Sequence, residues 1–327
     1  MEAKNQMTMN RLRIPSTDLN VSAMAYGMGG FGTVVSGDAA SRLYEAYRNA
    51  GGNFFDTAHC YAFWSPGGLG ISERTLGELV RRHGDQGRVV VATKGGHPDA
   101  GADYRRPDRY LSGEVLARDI AESLDRLGLD RVDVYLLHRD DRRVAVGEII
   151  DGLNEHVRVG RLRYLGASNW TTARIEAANA YAAGKGLHGF VISQPRFSLA
   201  PPTATPAFDD DLATRPLDAD DRAWYQTTGL PVMAYSPTAC GFFAEAGPAA
   251  RSAAFDNPVS RQRLARVRRL AADLGRSGTQ LALAWLMHQP FPAVPILGTT
   301  NVDHLHDALG AVDVTLTPEQ AEWLIAE

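Results

Sequence analysis

The sequence predicts an α/β protein, a (β/α)8 TIM barrel preceded by a short N-terminal β-hairpin, on three observations. Eight short apolar runs rich in Val, Ile, Leu, Phe and Tyr alternate along the chain with segments of helical period. Seven consecutive runs end in a polar residue or a glycine, namely Asp56, Lys94, His138, Asn169, Gln194, Tyr235 and Gly298. Finally, 327 residues suit one such barrel, and no linker-like stretch divides them, so residues 1–327 read as a single domain.

The elements follow in order. Arg11–Ile14 and Leu19–Ser22 flank the turn residues Pro15, Ser16, Thr17 and Asp18, which predicts the hairpin. Met24-Ala25-Tyr26 begins the barrel. Ala40, Leu43, Tyr44 and Tyr47 share one helical face that Gly51 and Gly52 end, and the strand Asn53–Asp56 follows. Ser72 is the expected cap of a second helix, ahead of the β-branched strand Val89–Lys94. Leu116, Ile120, Leu124 and Leu127 mark a third helix closed by Gly128, before the strand Val132–His138. Ile149, Ile150, Leu153 and Val157 mark a fourth, ended by Gly160, before Tyr164–Asn169. Phe190–Gln194, Val232–Tyr235 and Val294–Gly298 complete the eight strands. Residues 199–222 and 238–258 break the rhythm after late strands, where barrels place functional loops.

Composition narrows the class. Hydrophobic residues make up 44% and charged residues 22%, as in an ordinary globular protein. A formal charge of −4 gives no electrostatic footprint for nucleic acid or an anionic membrane. No apolar signal core or spanning run is present, and the two cysteines make no disulfide framework, so a cytoplasmic location is expected. Of the 34 basic residues only Lys4, Lys94 and Lys185 are lysines. In so arginine-rich a chain, a lysine at a strand end draws attention to lysine's own chemistry, a compact charge whose pKa moves readily.

Barrel sites are built at the carboxyl ends of the strands. With Tyr61 five residues past Asp56, one rim gathers a carboxylate, a phenol, an ammonium (Lys94) and an imidazole (His138). An ammonium beside a phenol favours the phenolate and is expected to lower the tyrosine's pKa from ~10. A carboxylate keeps the lysine charged, and a histidine can bond a carbonyl oxygen. That set suits proton donation to a carbonyl that receives electrons from a cofactor.

On these residues the chain resembles the aldo-keto reductase superfamily over nearly its whole length. Gly52–Tyr61 (GGNFFDTAHCY, read from Gly51) is similar to the family's first signature, and Gly160–Asn169 to its mid-chain signature. The resemblance implies a catalytic tetrad of Asp56, Tyr61, Lys94 and His138, with Tyr61 as proton donor, and NADPH as cofactor, NADH remaining possible. It implies that Ser168, Asn169 and Gln194 hold the nicotinamide carboxamide while Tyr235 stacks on the ring. Ser236 to Phe243 would follow the pyrophosphate, and Gly298, Thr299, Thr300 and His304 would meet the adenosine phosphate. The family usually places Lys or Arg after the last strand for a 2′-phosphate. Here the last basic side chain is Arg276, leaving hydroxyls, backbone N–H groups and His304 for that task. Pro195 and Arg196 also depart from the family pattern after Gln194. The chain ends at Glu327, soon after Trp323, so pocket shaping is expected from rim loops carrying Phe31, Trp64, Tyr104 and Arg139.

Other signals are weaker. Gly27–Gly32 fits G-x-G-x-x-G after a strand, but Thr33–Gly37 intervene before any helix, which disfavours a dinucleotide fingerprint. The histidines, among them His59 and His97, lack metal-ligand spacing, so no metal is expected. Cys60 and Cys240 read as packing residues, Asn169-Trp170-Thr171 as a sequon without use, and Asp209–Asp211 as a solvated loop. The leading function is NAD(P)H-dependent reduction of a ketone or aldehyde, its partner being a small-molecule carbonyl substrate, a keto-sugar among the candidates. The alternative is a cofactor-binding regulatory subunit of the same fold, akin to potassium-channel β subunits. A Schiff-base enzyme using Lys94 is disfavoured by Asp56 and Tyr61 at their spacing.

Overall fold

The computed structural model describes residues 9–101, 104–203, 214–244 and 250–326. The acidic run 209–211 lies outside them. Strands β1 (Arg11–Arg13) and β2 (Asn20–Ser22) pair antiparallel with Leu12 opposite Val21, forming the expected hairpin. The chain then alternates as β3 (Ala25–Gly27), α1 (Gly37–Asn49), β4 (Phe54–Asp56), α2 (Ile71–Arg82), β5 (Val90–Gly95), α3 (Gly113–Leu127), β6 (Val132–Leu137), α4 (Val146–Arg158) and β7 (Leu162–Ser168). It continues as α5 (Thr172–Lys185), β8 (Phe190–Gln194), α6 (Ala219–Thr228), β9 (Val232–Ala234), α7 (Pro258–Leu274), α8 (Gly278–Met287), β10 (Ala293–Leu297), α9 (Val302–Leu309) and α10 (Pro318–Ile325). Strands β3 to β10 are parallel neighbours in sequence order, and β10 returns to pair with β3, closing a (β/α)8 barrel.

Alternation along the strands divides the core. Ala25, Phe54, Val90, Val134, Ile192, Met233 and Val294 pack together with Ile14, Leu19 and Val21, so the hairpin plugs the amino-terminal mouth of the barrel. The other strand face meets the helices: Tyr44 of α1 stacks on Phe55 of β4, with ring centroids 4.9 Å apart. With one mouth plugged, chemistry is left to the other.

Ser72 is not a cap. Helix α2 starts one residue earlier, after Gly70 in a left-handed conformation (φ +75°), and no side chain caps it. The buried Ser72 hydroxyl donates instead to Met28 O (2.8 Å) and contacts Thr57 Oγ1 at 2.8 Å, tying the helix to two rim loops. The glycines after β3 serve close approach. A Cβ on Gly30 would stand 2.9 Å from Thr300 Cγ2, so a larger residue would push the first rim loop away from the last.

Candidate active site

The carboxyl ends of neighbouring strands bring their polar residues to one place because parallel strands in register share one rim. Asp56 ends β4, Lys94 lies near the end of β5, and His138 directly follows β6. Tyr61 reaches them from the loop after β4. Lys94 is buried, and its Nζ donates to Asp56 Oδ2 (2.8 Å), Thr57 O (2.6 Å) and Tyr61 OH (3.1 Å). These acceptors use all three protons of the ammonium and fix its direction. Burial is the largest effect and works against the lysine's charge, but the Asp56 carboxylate and the Tyr61 hydroxyl together outweigh it and hold the pKa above the ordinary value.

The phenol does not follow the expected direction. Burial pushes Tyr61 up to about 12, and the opposing pull of Lys94 is the smaller effect. Tyr61 is therefore a neutral phenol at physiological pH, with a cation in place to stabilise the phenolate once its proton has left. The Tyr61 and His138 rings meet edge to face with centroids 5.8 Å apart. His138 is held neutral, well below the usual histidine range, by burial first and then by Arg139 and His97. Its Nδ1 lies 3.3 Å from Cys60 Sγ, and burial raises that thiol to about 12. A thiol that keeps its proton can donate to Nδ1, which leaves Nε2 as the ring's N–H donor.

Beside this group lies a second one, joined to it through Asp56. Gln194 Nε2 donates to Asp56 Oδ1 (2.8 Å), and Ser168 Oγ donates to Gln194 O (2.8 Å). Asn169, in the left-handed region at φ +60°, donates from Nδ2 to Ser168 Oγ (2.9 Å) and His138 O (3.2 Å). Its Oδ1 accepts from Tyr235 OH at 2.7 Å. Just after Tyr235, Ser236, Ala239 and Cys240 all take positive φ, between +51° and +55°. Such strain in non-glycine residues persists only where the surroundings enforce it, and it gathers at ligand clamps. Across the rim, Tyr26 OH donates to Thr299 O (2.9 Å), and Asn301 caps α9 by accepting from the Asp303 and His304 N–H groups. Gly298 and His304 are exposed, and Thr299 and Thr300 are partly so.

The pocket residues divide. Trp64 is 57% exposed, with its ring 6.3 Å from that of Tyr61. Arg139 is half-buried, donates from Nη1 to His138 O (2.8 Å), and has no partner for Nε among the described residues. Phe31 lies in the turn that follows β3. It is fully buried and packs edge to face on Tyr26, because the turn after β3 folds it back into the core. Tyr104 is likewise buried, with its hydroxyl 3.0 Å from His59 Nδ1.

Sequence reasoning passed over a layer behind the site. His59 Nε2 lies 2.7 Å from Glu122 Oε2. Arg126 donates to His59 O and Glu73 Oε2, and Thr93 Oγ1 donates to Glu73 Oε1 (2.7 Å). Asp119 accepts from Arg106 (2.6 Å) and from Gly96 N (2.9 Å). These partners sit 13 to 67 positions apart, on facing helices and loops, and carry no local motif. His97, which the sequence marks only as lacking metal-ligand spacing, is buried beside His138 with ring centroids 5.0 Å apart. Its nearness to Lys94 in the chain was the signal available.

The chain matches the Aldo/keto reductase family over residues 23–324. It is 31% identical over 313 residues to the "Uncharacterized oxidoreductase YrpG" of Bacillus subtilis (strain 168), covering 93% of this chain and 91% of that protein. It is 28% identical to an aryl-alcohol dehydrogenase [NADP(+)] of Phanerodontia chrysosporium, over 91% of this chain and 77% of the relative. A probable voltage-gated potassium channel subunit beta of Oryza sativa subsp. japonica is 29% identical, over 94% and 93% of the two chains. The match runs from just before β3 into α10 and so takes in every strand of the barrel, and on that basis the chain belongs to the aldo/keto reductase family.

Proposed function

We propose that the protein is an NAD(P)H-dependent reductase of ketones and aldehydes in which Tyr61 gives the proton. Oxidoreductase activity is what the family carries. The observation that supports the finer reading best is the buried Lys94 ammonium, bonded at once to Asp56 and to the Tyr61 hydroxyl. A neutral phenol is the competent form of a proton donor, and the adjoining charge lowers the cost of the phenolate it becomes. His138, neutral and free to donate from Nε2, would hold the substrate oxygen beside Tyr61.

The residues fit a nicotinamide dinucleotide. The joined amide and hydroxyl groups of Ser168, Asn169 and Gln194 offer donors and acceptors for a carboxamide, with Tyr235 beside them to hold the ring. The strained loop from Ser236 to Phe243 would take the pyrophosphate, and Gly298, Thr299, Thr300 and His304 the adenosine phosphate. When bound, the reduced cofactor supplies the hydride that no side chain can. Tyr61 would give its proton to the carbonyl oxygen as the alcohol forms, and Lys94 would hold the phenolate that remains. NADPH is the favoured form on family precedent. With no Lys or Arg from Gly298 onward, a 2′-phosphate would be met by hydroxyls, backbone N–H groups and His304.

The test is steady-state oxidation of NADPH, and separately NADH, by purified protein with phenylglyoxal as acceptor. Turnover with a lower KM for NADPH is expected. Tight binding of either cofactor without turnover would favour the regulatory reading that the rice relative's name brings forward.

A further inference from the structure

His97 is more than 90% buried in the loop after β5, three residues beyond Lys94. Its Nδ1 lies 2.9 Å from Pro98 O. A carbonyl oxygen can only accept, so Nδ1 carries the ring proton and Nε2 presents a lone pair. Burial and then the Arg139 charge lower its pKa to about 4, which keeps that lone pair free at neutral pH. The charged and titratable groups around it are His138, Tyr104, Arg139, Arg106 and Asp119. None of them, and no other described residue, donates to Nε2.

The ring also has a definite setting. It meets His138 and Tyr104 edge to face, at 5.0 Å and 5.7 Å between centroids, and Phe63 lies tilted to it at 6.2 Å. An acceptor with no donor among the described residues thus stands against the histidine that offers an N–H, with aromatic walls around both. The pattern complementary to a donor beside an acceptor is an acceptor beside a donor. An α-hydroxy carbonyl has that arrangement, its C=O one carbon from an O–H.

We propose that the site selects carbonyl compounds bearing a hydroxyl on the carbon next to the carbonyl, with His97 Nε2 accepting the hydrogen bond from that hydroxyl. This inference rests on the reductase reading and narrows its substrate class.

The experiment compares ketone pairs that differ only by a hydroxyl in place of a methyl: hydroxyacetone with 2-butanone, and 2-hydroxyacetophenone with propiophenone. The kcat/KM ratio within each pair is measured for wild type, His97→Phe and His97→Gln, with phenylglyoxal reduction as the check that each protein is active. Wild type is expected to favour the hydroxy ketone by at least about tenfold, since a site that bonds a hydroxyl discriminates against the analogue lacking it. The ratio should fall toward one in His97→Phe, which keeps an aromatic ring but no acceptor. It should recover in part in His97→Gln, whose amide oxygen can accept. A wild-type ratio near one overturns the proposal, as does a preference that survives in His97→Phe. Should His97→Phe be inactive toward phenylglyoxal, the His97→Gln and wild-type ratios decide, and an absent preference in wild type overturns it. Wild type inert toward every carbonyl would instead sink the reductase reading, and this inference with it.

Discussion

At the scale of single residues, what matters is which proton each side chain keeps. Tyr61 keeps its own because burial outweighs the nearby ammonium, and His138 stays neutral because it is buried among Arg139, His97 and Lys94. Neither direction follows from residue types in a sequence, since desolvation depends on packing. Cys60 shows the same limit. It reads as a small packing residue, yet its sulfur lies 3.3 Å from His138 Nδ1, where a protonated thiol can set the tautomer. Cys60→Val, which stays apolar and removes the donor, is expected to lower kcat for carbonyl reduction by about tenfold, the worth of one modest hydrogen bond. Cys60→Ser should retain most of the rate. Equal rates for Cys60→Val and wild type in a steady-state assay would show that the tautomer is set otherwise.

At the scale of elements, the strand ends were readable and their supports were not. Asp56, Lys94, His138, Asn169 and Gln194 close apolar runs, and parallel strands must carry such residues to the same rim, so a one-dimensional pattern yields a three-dimensional cluster. The layer behind them depends on how α2 and α3 meet the loops. Asp119 of α3, fully buried, holds Gly96 N and the Arg106 guanidinium, and thereby the loop that presents His97. Removing one member of a buried ion pair strands the other. Asp119→Ala is accordingly expected to cost about 3–5 kcal/mol in urea unfolding. A change under about 1 kcal/mol would mean that the Arg106 charge finds another partner. The burial of Phe31 was not legible for a related reason: a glycine-rich loop can turn an aromatic inward or outward, and here it packs on Tyr26.

At the scale of the whole molecule, the hairpin closes one mouth of the barrel and the polar rim occupies the other. None of the described helices is long and apolar enough to cross a membrane. Two neutral histidines buried at that rim connect the site to the stability of the fold. An unfolded chain protonates histidine near pH ~6.5, whereas folded His97 resists protonation down to about 4 and His138 resists it too. Between those limits the unfolded state binds more protons, so stability is full above pH ~6.5 and falls as the pH drops below it. The midpoint of thermal unfolding should therefore decrease from pH 7.5 to 5, and His97→Phe should flatten that slope. An identical slope in the variant would place the pH dependence elsewhere.

The proposed role of Tyr61, protonating a carbonyl while primed by Lys94 and Asp56, is tested most directly by NADPH oxidation with phenylglyoxal in wild type and in Tyr61→Phe, with cofactor binding followed in both by quenching of tryptophan fluorescence. Unchanged NADPH affinity and a loss of kcat of at least about 100-fold, the contribution of a positioned proton donor, are expected in Tyr61→Phe. Comparable turnover by the two proteins would contradict that role.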